Sequence, residues 1–290
     1  MSESGTDSPH ASKFRAATAL LIGIAIGALA IAATVLIASR SDTSSPSWSS
    51  WAPQDGGLQG AREIADHIAP LYRISGTDQL DVVTVTNLSS GSSSGATTAA
   101  ASASSGSSGA GGLQVAVRAD PTSSAVSLLP GSTIAYNLCG IGTSNCAIGA
   151  GNPSANRLLL LRREALELAL YTFKYIGGAQ NVLAILPPGH TQPVQSLSPK
   201  PPSPRTRATS KPINLALLFL RDELKPWLGQ PLSQTFSLPL PPMVGELNLW
   251  KRTGEAALVS QITERGLFSE HFSQTQDGSN LIVLDPLPPQ

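Results

Sequence analysis

Residues 154–176 read SANRLLLLRREALELALYTFKYI, and the fold turns on how that stretch is wound. At about 100° per residue, Arg157, Glu164, Glu167, Tyr171 and Lys174 gather on one side. Leu159, Leu161, Ala165, Leu166, Leu168, Ala169, Leu170 and Phe173 fill a wide opposite face. The pattern predicts a helix from about Ser154 to Ile176, stopped by Gly177-Gly178. Arg162 breaks the sorting, because it falls inside the apolar arc.

Working outward, Ser132–Leu138 reads as a strand leading into Cys139, and Asn181–Leu186 as a buried strand stopped by Pro187-Pro188-Gly189. Further upstream, Leu58, Ala61, Ile64, Ala65 and Ile68 recur at helical spacing before Pro70. Asp81–Thr86 and Leu113–Arg118 alternate like strands. Between them lies LSSGSSSGATTAAASASSGSSGAGG, residues 88–112, which has too little apolar surface to offset its ordering entropy. It is expected to be a disordered insert in the loop of an antiparallel strand pair, since lengthening a loop adds only about 0.6 kcal/mol per doubling.

Downstream, residues 187–212 are Pro-rich and carry Lys200, Arg205, Arg207 and Lys211, the composition of an extended loop. Ile213–Leu220 is a strand candidate, and Asp222 is placed as the cap of a short helix ending at Gly229. A helix follows over residues 255–265. The last feature is a hairpin of Leu267–Thr275 and Leu281–Leu284 turning at Asp277-Gly278. Helices and strands alternate irregularly, which predicts an α+β domain over residues 58–290.

Ahead of that domain, residues 16–38 read AATALLIGIAIGALAIAATVLIA, without a charge. A helix of that length reaches roughly 30 Å, the thickness of the hydrocarbon core. A cleaved signal peptide is the rival, but its apolar region is usually only about 7–15 residues long. Eight more apolar or small residues follow the Ala28-Leu29-Ala30 site that could be cut. An uncleaved transmembrane helix is therefore expected, with residues 1–15 a cytoplasmic stub and residues 39–57 a juxtamembrane linker. Lys13 and Arg15 before the span against Arg40 after it favour an inside N-terminus and an extracytoplasmic domain. Gly23-x-x-x-Gly27 fits a helix-dimer motif, but small residues are common in such spans without one. Trp48 and Trp51 suit either the membrane interface or packing on the domain.

The block YNLCGIGTSNCAIGAGNPSANRLLLLRREALELALYTFKYI, followed by NVLAILPPG, resembles a family of single-pass, exported membrane proteins of actinobacteria. The resemblance covers about Tyr136 to Gly189 and extends to LLFLRDELKPWLGQPL. It implies the anchored, exported architecture. It brings no activity and no functional residues.

Chemistry is sparse in this chain. Cys139 and Cys146 enclose GIGTSN, a spacing suited to a local disulfide in an oxidising compartment. No His, Asp or Glu lies in that loop to complete a metal site, so no metal is expected there. Gly149, Gly151 and Ser154 run into the long helix, with Arg157 in its first turn and Arg162 beyond. Free N–H groups at a helix start attract anions, so these five residues are the candidate ligand site. The plainer account is a capped helix with Arg162 reaching a carboxylate or carbonyl. Ser154 stands where a third glycine would complete the dinucleotide pattern, and no cofactor is expected. Gly91-Ser-Ser-Ser-Gly95 matches a nucleophile elbow in letters, but a Ser/Gly tract lacks the strand-turn-helix the elbow needs. His67 and His271 read as surface residues.

Only 13% of residues are charged and the formal net charge is zero, which gives no electrostatic reason to propose nucleic acid as a partner. The expected function is a membrane-anchored, extracytoplasmic interaction or structural module of the cell envelope. Its partners are the membrane, through the N-terminal helix, and an envelope protein or polymer. The alternatives are an envelope hydrolase and a sensor of a small anionic ligand.

Overall fold

Eight strands form one sheet: β1 Asp81–Ser89, β2 Gln114–Val117, β3 Ser127–Leu128, β4 Ser132–Gly140, β5 Asn181–Ile185, β6 Asn214–Leu220, β7 Leu267–Gln274 and β8 Asn280–Pro286. The computed structural model describes residues 47–89, 113–120, 125–141, 146, 148, 154–187, 214–275 and 278–287. Among these residues there are six α-helices: α1 Leu58–Ile68, α2 Ala155–Tyr175, α3 Arg221–Leu228, α4 Leu232–Thr235, α5 Leu247–Trp250 and α6 Gly254–Glu264. The fold is mixed α/β. No helix among the described residues is long and apolar enough to cross a membrane. The stub 1–15, the span expected over 16–38, the first part of the linker, and all but the first residues of the insert expected over 88–112 and of the loop expected over 187–212 lie outside the described residues. Leu88 and Ser89 are corrected from insert to strand, since the β1 ladder runs through both.

The strand order is β1-β4-β5-β6-β7-β8-β2-β3. Two pairs, β4–β5 and β2–β8, are parallel, and the other five are antiparallel. The β4–α2–β5 connection is a crossover, which a parallel pair requires. The expected pairing of the strands flanking the insert is corrected here. β1 pairs with β4 over nine residues, from Asp81↔Gly140 to Ser89↔Ser132, while β2 pairs with β8 and β3. A nine-residue ladder against β4 sets Val83 and Val85 beside Leu138 and Tyr136 under the helices. Four-residue β2 could satisfy only part of β1, and a long connection imposes no register of its own.

Alternation divides the sheet cleanly. Ile134, Tyr136 and Leu138 of β4, Val182 and Ala184 of β5, and Leu215, Leu217 and Phe219 of β6 face the helices. Ala135, Leu183, Ala216, Leu218, Ile282 and Leu284 form a second cluster on the other face. Leu88 of β1 and Val115 of β2 both join that cluster, so the sheet curls until its two outer regions approach.

Two further expectations are corrected. Asp222 does not cap α3: Leu220 is the N-cap, and the Asp222 carboxylate accepts from Lys225 Nζ at 2.7 Å. The β6 ladder runs through Leu220 opposite Asn181, so the helix begins directly at the strand's end. On the polar side of α2, Lys174 alone faces water. Arg157, Glu164, Glu167 and Tyr171 are all buried along with most of its apolar face, because α1, α3, α5 and α6 pack around the helix.

Candidate functional site

The long helix α2 is fixed at both ends before it presents any chemistry. At its start the Ser154 hydroxyl accepts from the Arg157 N–H at 3.2 Å, which satisfies one of the four orphan donors of a helix N-terminus. At its end Arg221, the first residue of α3, donates to the carbonyls of Phe173, Ile176 and Ala179 at 2.6, 2.6 and 2.7 Å. A guanidinium suits this task, since its planar fork carries donors in several directions and its charge complements the negative end of the helix.

Half-way along α2, two buried polar groups sit side by side in the sequence. Arg163 is 1% exposed and lies in a closed network. Its Nε donates to Glu255 Oε1 at 2.7 Å, its Nη1 to Glu167 Oε2 at 3.1 Å and to the Tyr72 hydroxyl at 2.6 Å, and its Nη2 to the Leu238 carbonyl at 3.2 Å. The guanidinium also lies 4.5 Å from the Phe236 ring centroid. Glu255 accepts in addition from Ser237 Oγ and the Leu238 N–H, both at 2.9 Å, and from Trp250 Nε1 at 3.4 Å. Burial disfavours charge on both partners. For Glu255 the Arg163 cation and these donors outweigh it, and the carboxyl stays below its usual range. For Arg163 its partners likewise raise the pKa and keep the guanidinium charged.

Glu164, the next residue, has the opposite surroundings. It is fully buried and faces Asp81, also fully buried, at the start of β1. No N–H or hydroxyl among the described residues donates to any of the four carboxyl oxygens. A proton shared between the two acids is the one bond that remains to them. Burial pushes Asp81 up to about 7. Burial, together with the Asp81 charge, raises Glu164 well above the carboxyl range.

No family model matches this chain, and no curated protein or solved structure does.

Of the residues singled out from the sequence, Gly149 and Gly151 lie outside the described residues. Ser154 is the N-cap of α2. Arg157 is buried in the first turn, where desolvation lowers its pKa. Arg162 is held by α6, donating from Nε to Thr263 Oγ1 at 2.6 Å and from Nη2 to the Ser260 carbonyl at 2.7 Å. Cys139 and Cys146 are joined in a disulfide, and the Gly140 N–H donates to the Cys146 carbonyl at 2.7 Å across the same loop.

Neither histidine is isolated. His67 stacks on Trp51 at 4.1 Å between centroids and is lowered by burial, with the Glu167 charge opposing. Trp48 and Trp51 both pack on Tyr171, which places these tryptophans on the domain. His271 Nδ1 lies 3.2 Å from Asp285 Oδ2, and Arg118 Nε lies 2.6 Å from the other oxygen of that carboxylate. This group lies on the sheet partly exposed, with the His271 side chain the most open at 48%.

The sequence reading passed over Arg163, Glu255 and Asp81. The available signal was the pair Arg163-Glu164 in the middle of a helix flanked by leucines on both sides. Charges in such a place need partners wherever the helix is enclosed.

Proposed function

We propose that the chain is a membrane-anchored, extracytoplasmic protein whose folded domain serves as an interaction or structural module of the cell envelope. One observation carries the interaction part of the reading. Leu238, Leu240, Met243 and Leu249, along a segment with Pro239, Pro241 and Pro242, are 40, 63, 40 and 74% exposed. A run of large apolar side chains held out to water marks a docking surface more often than an isolated leucine does.

The compartment is supported by the Cys139–Cys146 disulfide, since such bonds persist in oxidising surroundings. The anchor is supported by the uncharged apolar run over 16–38. The structural part draws support from the Arg163 network, whose side chains are engaged with one another and brace α2 against α6 and the segment 236–238.

A photo-crosslinking side chain at Leu240 or Leu249 of the full chain in its own membranes tests the interaction. The expected result is a discrete adduct that Leu240→Ser together with Leu249→Ser reduces in a label-free pull-down. Adducts no stronger than those from a probe at exposed Lys225 overturn the reading. The compartment is tested by fractionation with thiol labelling. Intact chain in the soluble cell interior with both cysteines reactive overturns it.

A further inference from the structure

Strand β1 is an edge strand, hydrogen-bonded on one side to β4 alone. Edge strands depend on whatever else fastens them. At one end of β1 two fastenings coincide. Val82 is opposite Cys139, whose disulfide closes the end of β4. Asp81, one residue earlier, meets Glu164 of α2 in the buried interior.

We propose that Asp81 and Glu164 form a proton-dependent latch between the edge strand β1 and helix α2, closed while the two acids hold a proton between them and loosened when they lose it. The geometry is that of a like pair with no other donor in reach. Protonated, one acid donates to the other, and the pair is a hydrogen bond joining strand to helix. With both ionised, two negative charges face each other without water, and separation is the one relief available.

The groups that face the pair are few. On α2 itself Glu167 adds to the repulsion and Arg163 opposes it. Arg163 is already engaged by Glu255 and Glu167, so it cannot turn to Glu164 without leaving them. Tyr72, from the turn after α1, is fully buried and bonded to Glu167 and Arg163. α1 carries Arg62, Glu63, Asp66 and His67, none of which acts on either carboxyl. β4 offers only Tyr136, whose hydroxyl is bonded to Thr172 at 2.6 Å.

The direction follows from the raised values. In the unfolded chain both acids ionise near pH 4, whereas in the folded domain they retain protons to about neutrality and above. The folded state then binds more protons, so this contribution is fully present below the unfolded values and is lost as pH rises through the folded ones.

The test uses the full chain in detergent, with urea unfolding followed between about pH 5 and 9. Compared with the Asp81→Asn, Glu164→Gln double variant, the wild type should lose at least about tenfold in its folded-to-unfolded ratio per pH unit over the lower part of that range. Equal slopes in the two proteins overturn the latch. Hydrogen exchange separates a latch from general weakening. On raising the pH, and relative to the double variant at the same pH, β1 amides should lose about tenfold or more in protection beyond the loss that global unfolding gives the β6 amides. Equal loss in β1 and β6 overturns it.

If the double variant does not fold, infrared spectra of the wild type decide the matter. A protonated-carboxyl carbonyl band should persist at neutral pH and vanish in alkali. Absence of that band at neutral pH overturns the proposal.

Discussion

Arg163 and Glu164 are neighbours on one helix and equally hidden from water, yet they solve burial in opposite ways. Arg163 meets two carboxylates, a phenol, a carbonyl and an aromatic face. Glu164 meets another acid. The first arrangement needs its carboxylates ionised and the second needs its carboxyls protonated. Burial alone thus does not set the response of a charged side chain to pH; the sign of its partner does.

The largest break in this contrast should come from Arg163→Met. It leaves Glu255 and Glu167 without their cation in a dry site, a change that costs about 3–5 kcal/mol when one partner of a buried pair is removed. Urea unfolding at neutral pH measures it. Adding Glu255→Gln to that variant should recover part of the loss, because Glu167, which still accepts from the Tyr72 hydroxyl, is then the one carboxylate of the network left without its cation. A double variant that is less stable than Arg163→Met by the full single-variant amount would show that the two residues do not act together.

Reducing the Cys139–Cys146 bond should cost about 2–3 kcal/mol on the chain-entropy account of a short loop. Because the disulfide carries no charge, reduction should lower stability equally at acidic and neutral pH. A loss that depends on pH would tie the disulfide to the acid pair beside it.

Tyr72→Phe removes one hydroxyl that both receives from Arg163 and donates to Glu167. Its expected cost is about 1.5–3 kcal/mol, the range for a buried hydrogen bond to charged groups. Thermal melting of the two proteins side by side gives the difference.

Smallest is the acid response of the Arg163 network. Glu255 sits below its usual range, so its contribution is present above the unfolded value of about 4.5 and is lost as pH falls through the folded one. Glu255→Gln should flatten the unfolding curve below about pH 4 while leaving the neutral-to-alkaline limb unchanged. A change on the alkaline limb instead would mean the two sites share their protons.

Local signals in the sequence were strong enough to place the helices α1, α2 and α6 and strands β4, β5 and β6, since each has a sharp period and a proline, glycine or cap at its end. Partners were a different matter. β1 and β2 are successive strands, yet β1 pairs with β4 and β2 with β8, and no local pattern records that choice. The charges on α2 misled for the same reason. Glu164 and Glu167 repeat at the spacing of a wetted face, but that spacing reports only that they share a side. Whether that side meets water depends on α1 and α6, and Arg163 finds Glu255 across 92 residues. Short β3, α4 and α5 had no period long enough to read.

The β2–β8 ladder has a consequence for time rather than stability. Gln114 pairs with Leu281, so β2 waits for its neighbour until β8, the last of the eight strands, has been synthesised. Contacts of such separation form slowly. Meanwhile β4, β5 and β6 can already assemble, while β2 and β3 hold open edges, the condition in which growing chains adhere to one another. Safe maturation therefore rests on the prompt arrival of the strand made latest among the eight.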